Sequence, residues 1–405
     1  MVHRASRKPF SNTIMTSTVP TSEHPRARFA PNPALIIVGC ALALLALGLT
    51  VLFSASAAFR QGTFYYLNKQ VGGAVIAAGL AWWVSGRDLE RWRQHVWWIG
   101  GTAVLLLLLV LVPGVGIAVK GSRRWLGQGA LRLQVSEFAK VAMVFCFAHC
   151  LAVGQTRVRD LRRGFLPALG IVVAFVVPVV LEPDFGMAAL FLAVGLTLLF
   201  LAGAKWRHLL LTLVAAVAAL GVLLLFNQNR MQRLADFGHK EPPYQLKQAL
   251  LAYAAGGVGG VGLGEGRQQL AYLPEAHTDF IFAVGGEELG LGFTLGVVAL
   301  FAAVFLAGLA HLRRAPNLFQ FLLVAGALFF ITIQALINLL VVTGTVPPKG
   351  MSLPFISAGL SNLLVMGLLV GLILNTRRAW MRPGLDGTRR ALLEVSPERP
   401  ENPAP

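Results

Sequence analysis

Charge is scarce in this chain. Asp, Glu, Lys and Arg make up 13% of its 405 residues, against about 25% in an average soluble domain, which excludes a water-soluble globular protein. Acidic side chains are rarer still, 18 against 35 Lys and Arg, for a formal net charge of +17. A basic nucleic-acid binder would be enriched in charge rather than depleted, so no nucleic-acid partner is expected and the surplus cations belong beside a membrane. Only three cysteines occur, Cys40, Cys146 and Cys150. All lie inside apolar stretches, so no disulfide framework can be read from them.

Hydrocarbon takes the place of charge. Hydrophobic residues are 56% of the chain, and several runs approach the ~20 residues that a helix needs to cross a ~30 Å hydrocarbon core. The apolar segments run approximately 34–54, 70–85, 96–113, 136–153, 165–182, 187–203, 208–226, 280–309, 319–342 and 353–375. These ten spans predict an all-α, polytopic helical membrane protein. An even number puts both termini on one side. With the N-terminus inside, 22 of the 35 Lys and Arg fall in the inner segments, so the positive-inside rule places both termini in the cytoplasm. Residues 1–33 are polar, with Pro20, Pro25 and Pro31 among scattered basic residues, and read as a disordered tail. The membrane domain is then 34–378, followed by a cytoplasmic tail, 379–405. An A-x-A-like pattern at Ser54–Ala58 resembles a signal-peptidase site, but the long tail and long apolar run before it favour an uncleaved anchor.

Most of the cations left on the outer side form two clusters. One is Lys120, Arg123, Arg124 and Arg132, with Lys140 just inside the next helix; the other is Arg230, Arg233, Lys240, Lys247 and Arg267. The second lies in the segment 227–279, far longer than the usual connection of ~2–8 residues between bundle helices. This loop is expected to be structured, because an amphipathic run, Tyr244–Ala255, leads into GGVGGVGLGEG, with seven glycines in eleven residues from Gly256 to Gly266.

Ionisable groups at membrane depth are costly, so each is a candidate for function. They are Glu137 and Lys140, Glu182 and Asp184, Asp279, and Glu287 with Glu288. Glu137 and Lys140 are three apart on a helix and can neutralise each other as a structural ion pair. The adjacent Glu287 and Glu288 point in different directions, and at least one is expected to bond to a neighbouring helix or loop. One straight helix over Phe280–Ala310 would be ~46 Å long, more than the hydrocarbon thickness. Its start therefore lies at the outer interface, with Asp279 at the mouth of the bundle in LPEAHTDFIFAVGGEELG. There Asp279 suits either a general base, flanked by Glu275, His277 and Thr278, or a helix N-cap. Cys146, His149 and Cys150 share a helical face at ligand-like spacing but lack a fourth ligand. The glycine-rich run has no Lys-Ser/Thr after it and follows no strand, so it is not a phosphate loop, and no organic cofactor is expected.

Four long blocks resemble the SEDS family of polytopic peptidoglycan glycosyltransferases, which includes FtsW, RodA and SpoVE. They are GSRRWLGQGALRLQVSEFAK (Gly121–Lys140), EPDFG (Glu182–Gly186), Tyr244–Gly290 and NLLVVTGTVPPKGMSLPFISAGLSNLL (Asn338–Leu364). The resemblance implies a polymerase of lipid-linked disaccharide-pentapeptide, lipid II, working at the outer face of the bacterial cytoplasmic membrane. Asp279 then matches the catalytic carboxylate of HTDF; Arg123, Arg124 and Trp125 match the RRW motif, and Lys349 the lysine of P-x-K-G. With Glu137, Lys140, Glu275, His277 and Ser357, these are the residues expected to contact substrate. A divalent cation, Mg or Mn, on the diphosphate fits this chemistry, although no ligand cage is visible. The implied partners are a class B penicillin-binding protein transpeptidase and other divisome membrane proteins. The chain departs from the family where EPDFGM replaces QPDLGT and ISAGLSN replaces ISYGGSS. The P-x-K-G lysine leans to the division-type branch. A lipid II translocase and a catalytically silent scaffold are the competing readings.

Overall fold

The structure is a computed structural model and describes residues 32–56, 63–119, 122–127, 132–225, 242–267, 273–347 and 349–380. Residues 1–31 and 381–405 of the tails, Lys120, Arg230, Arg233 and Lys240 lie outside the described residues, as does the end of the Ser54–Ala58 pattern.

All ten apolar segments fold as helices. In chain order the helices are α1 Pro33–Ser56, α2 Thr63–Ser85, the one-turn α3 Leu89–Arg93, α4 Val96–Leu111, α5 Val135–Val153, α6 Leu166–Leu181, α7 Phe185–Leu201 and α8 Trp206–Leu225. They continue with α9 Tyr244–Gly256, α10 Ile281–Leu312, α11 Leu318–Val342 and α12 Leu360–Trp380. Six of them (α1, α5, α6, α8, α10 and α11) lie in segments long and apolar enough to cross a membrane by length and composition, and α4, α7 and α12 supply shorter apolar stretches. The tenth, α2, starts before its apolar segment and takes in Asn68, Lys69 and Gln70, which lower its hydropathy. The protein is a multi-pass helical membrane protein.

The interior is built around α5 and α11. They pack against each other, α4 flanks α5, α1 runs along α10, and α12 lies along α2. By contrast, α8 fully buries none of its described side chains and touches its neighbours only on one side, where His208 meets the Phe165 ring and Leu209 packs against the core. Between α4 and α5 the chain forms a small antiparallel sheet that periodicity did not reveal, with β1 Ile117–Val119, β2 Ser122–Leu126 and β3 Leu133–Gln134 in the order β1-β2-β3. Trp125 sits opposite Ile117 on one side and Gln134 on the other.

Two sequence expectations are corrected. The segment 353–375 is helical only from Leu360; residues 353–359 form a turn, with Phe355 at φ 66°. More consequentially, α10 is not one straight helix, because Gly290 breaks it with φ 68° and ψ −157°. A Cβ at Gly290 would stand 2.5 Å from the Gly260 nitrogen and the Val258 oxygen, so only glycine fits. The glycine-rich run closes on the break: Val261 N donates to Glu287 O (3.0 Å), Gly262 N to Glu288 O (3.0 Å) and Leu291 N to Gly257 O (3.1 Å). Those bonds satisfy backbone groups that a broken helix leaves open. Both glutamates serve the same junction, with Glu287 Oε1 accepting from Arg267 N (2.9 Å) and Glu288 Oε1 from Ser54 Oγ (2.5 Å) and Gly264 N (3.2 Å).

Candidate active site

Asp279 precedes α10 in a run of turns, 273–280, that is only partly buried. It is not the helix N-cap, since that position is Phe280, without a side-chain cap. The turn is set by Glu275, at φ 58°, whose Oε2 accepts from Thr278 Oγ1 (2.9 Å) and whose carbonyl accepts from Phe280 N (3.3 Å). The backbone of Asp279 is fixed from below by Asn338 of α11, whose Nδ2 donates to Asp279 O (3.0 Å) and to Met351 O (2.5 Å). One amide thereby joins the catalytic candidate to the loop before α12.

That loop supplies Lys349 and Gly350. Gly350 lies against the Asp279 carboxylate so closely that a Cβ there would be 2.5 Å from Oδ2. Lys349, the preceding residue, extends its ammonium over the Phe185 ring, 5.5 Å from the centroid, and to within 3.6 Å of Asp184 Oδ1. Asp184 also accepts from Arg124 Nη1 at Oδ2 (2.7 Å) and, as N-cap of α7, from Met187 N at Oδ1 (3.2 Å). Burial works to raise the Asp184 carboxyl, but Lys349 and Arg124 outweigh it and hold the group below the ordinary carboxylate range. Residues 124, 184 and 349, far apart in the chain, form one ion cluster that reaches Asp279 through the 349–350 step. Trp125, the next residue of β2, is half buried, and its indole N–H has no acceptor among the described residues. Arg123, in β2, and Arg132, just before β3, are exposed.

The remaining candidates are placed differently. Ser357 is buried and its hydroxyl is spent on scaffolding: it donates to Thr278 O (2.5 Å) and accepts from Leu353 N (2.7 Å). His277 offers its carbonyl to Ala358 N (3.0 Å) and its ring to Tyr66, with centroids 5.1 Å apart. Glu137 and Lys140 form the expected ion pair (2.7 Å), fully enclosed in the bundle. Lys140 Nζ also donates to Gln334 Oε1 (2.6 Å), and Asn362 Nδ2 donates to Glu137 Oε2 (3.2 Å), so the pair ties α5 to α11 and α12. Gln334 in turn donates to Ser352 O (2.8 Å), and so reaches the same loop as Asn338.

Three amides were missed by sequence reasoning: Gln334, Asn338 and Gln70, the last of which brackets the 357–359 turn with bonds to Ser357 O (3.0 Å) and from Gly359 N (3.2 Å). For Gln334 and Asn338 the signal was present, since each is an uncharged polar residue inside an otherwise apolar helix, whereas Gln70 follows Asn68 and Lys69 and does not stand out. Among the described residues no three His, Cys, Asp or Glu side chains gather to hold a metal ion, the Cys146–His149–Cys150 face included.

Known proteins resemble this chain in sequence and fold. The FtsW/RodA/SpoVE profile, described as cell cycle protein, matches residues 34–380. The stage V sporulation protein E of Bacillus subtilis is 36% identical over 357 residues, covering 86% of this chain and 97% of that protein. A probable peptidoglycan glycosyltransferase FtsW of Nitrosococcus halophilus is 42% identical over 362 residues, covering 85% and 92%. Among solved structures, a chain of a peptidoglycan synthase complex superposes with a TM-score of 0.72 at 26% identity, covering 85% of this chain and 98% of that one. The rod shape determining protein RodA of Thermus thermophilus gives 0.64 at 26% identity, with 85% and 97% covered. With a profile spanning the whole membrane region and relatives matched nearly end to end, the chain belongs to the FtsW/RodA/SpoVE family of cell cycle proteins.

Proposed function

We propose that this chain is a peptidoglycan glycosyltransferase that polymerises lipid II at the outer face of the bacterial cytoplasmic membrane, in cell division, beside a class B penicillin-binding protein. The observation that carries the reading is the 349–350 step, where Gly350 packs against the Asp279 carboxylate and the adjacent Lys349 joins the Arg124–Asp184 ion pair. Glycosyl transfer from a lipid diphosphate needs these two things together: a base for the attacking hydroxyl and fixed cations for the departing diphosphate. Asp279 takes the proton of the acceptor sugar's 4-hydroxyl as its oxygen attacks the donor's anomeric carbon. The bond from that carbon to the diphosphate breaks, with inversion, and the diphosphate leaves against Arg124 and Lys349, with the exposed Arg123 near the entrance. Trp125 offers an indole N–H and a ring face to a sugar. Mg or Mn on the diphosphate would add charge to the leaving group, and no step here depends on it. Relatives named as peptidoglycan glycosyltransferases at 34–42% identity support the reaction. A solved relative from a complex that coordinates polymerization with crosslinking supports the transpeptidase partner.

The test is polymerisation of labelled lipid II in liposomes by the wild type and by Asp279→Asn, each with and without the cognate transpeptidase. Glycan ladders are expected from the wild type, with at least a hundredfold loss in the variant at an unchanged unfolding midpoint, the order of magnitude of removing a general base. Ladders of equal yield from Asp279→Asn would remove that residue from the reaction. Absence of ladders from folded wild type with its partner, together with transfer of lipid II across the bilayer, would replace the enzyme by a translocase.

A further inference from the structure

Glu182 lies in the turn between α6 and α7, two residues before Asp184, and its side chain is wholly buried. The turn is held by Ser122 of β2, whose hydroxyl donates to the Glu182 carbonyl. Neither carboxyl oxygen of Glu182 has a hydrogen-bond partner among the described residues. An ionised carboxylate buried without a donor is among the costliest groups a fold can hold, and such a group keeps its proton instead. The charged groups that bear on it are Asp184 in its own turn and Arg124 from β2. Behind these stand Lys349, ion-paired with Asp184 from the loop before α12, and Lys140 of α5, engaged with Glu137 yet close enough to interact with the Asp184 charge.

We infer that Glu182 is a positioning residue of the diphosphate site: as a neutral acid it leaves Asp184 the single anion between Arg124 and Lys349, and its ionisation would switch the site off for an anionic donor. The inference rests on the reading that these two cations receive the diphosphate. With Glu182 protonated, the four side chains Arg124, Lys349, Asp184 and Glu182 comprise two cations and one anion. With Glu182 ionised they comprise two of each, and the surplus charge that attracts a diphosphate is gone. Burial, reinforced by Asp184 and opposed by Arg124, pushes the Glu182 carboxyl up to about 8, so the change falls just above neutrality. Linkage runs both ways, and a bound diphosphate must strengthen the hold of Glu182 on its proton to the same degree.

The experiment compares full-length wild type with Glu182→Gln, the neutral isostere, in two measurements between pH 5.5 and 9.5. The first is the unfolding midpoint. A carboxyl raised on folding stabilises fully below the unfolded value and loses that contribution as pH climbs to its folded value. The wild-type midpoint is therefore expected to fall relative to Glu182→Gln from pH 5.5 to about 8, with a constant gap beyond. The second is lipid II polymerisation. The wild-type KM is expected to rise by about tenfold for each pH unit past the titration while kcat holds, and the variant's KM is expected to stay flat. A flat midpoint difference would show that Glu182 holds no proton and would overturn the inference. So would identical KM profiles in the two proteins, since the acid would then be isolated from the site. A normal midpoint difference with no polymerisation by either protein at any pH would sink the glycosyltransferase reading, and the positioning role with it.

Discussion

At the residue scale the site depends on distances that no single motif contains. Asp279 and Lys349 belong to two motifs seventy residues apart, and what unites them is the missing side chain of Gly350. Gly350→Ala would drive a methyl group into the Asp279 carboxylate, 2.5 Å from Oδ2, and one of the two must shift. Because residue 350 is exposed, the protein is expected to keep its unfolding midpoint while polymerisation falls by about a hundredfold, the cost of an ångström's misplacement of a reacting group. Measuring both quantities on the same preparation checks this, and full activity would mean that the carboxylate works from another rotamer. The motifs singled out Asp279, Arg124, Trp125 and Lys349 in the sequence, and the structure brings Arg124 and Lys349 together at Asp184 and sets Gly350 against Asp279. What each residue does was less legible in the sequence. The hydroxyl of Ser357 and the carbonyl of His277 turn out to bind neighbouring backbone, and no spacing rule distinguishes a side chain aimed at a ligand from one aimed at its own scaffold.

At the scale of elements, ten apolar runs became ten helices because length and hydropathy alone decide that outcome in a bilayer. Breaks and pairings are decided by contacts between distant segments and were not legible. Gly290 shows the difference. Its neighbours read as continuous helix, and only the approach of Val258 and Gly260 explains why the backbone turns there. Gly290→Ala is expected to lower stability by about 1–3 kcal/mol, combining a left-handed φ with a Cβ collision, and a calorimetric or fluorescence unfolding midpoint would register it. Gly292, with nothing within 4 Å of its Cβ position, is the control, and Gly292→Ala should be neutral or slightly stabilising. Equal midpoints for the two variants would mean that the break is not held by the glycine-rich run. The β1–β3 sheet escaped notice for a related reason. Strands of two to five residues are too short to establish a period.

For the whole molecule, α5 provides the axis. Its first residues adjoin β3 and the candidate site, and its last lies ~28 Å away at 1.5 Å per residue, so the two ends face opposite sides of a membrane. In a background without the three native cysteines, a cysteine replacing the exposed Thr345 is expected to react with a membrane-impermeant maleimide from outside the cell. One replacing the exposed Thr156 should react only after lysis. The reverse pattern would invert the topology and move the site to the cytoplasm. The same helix bears on how the chain is made. Lys140 and Glu137 enter the bilayer with α5, long before Gln334 and Asn362, 194 and 225 residues further along their respective pairs, have left the ribosome. At roughly 5–20 residues per second that interval lasts on the order of ten to forty seconds. During it the two charges have only each other, and their i,i+3 spacing lets one helix cross as a neutral unit with its later partners still untranslated.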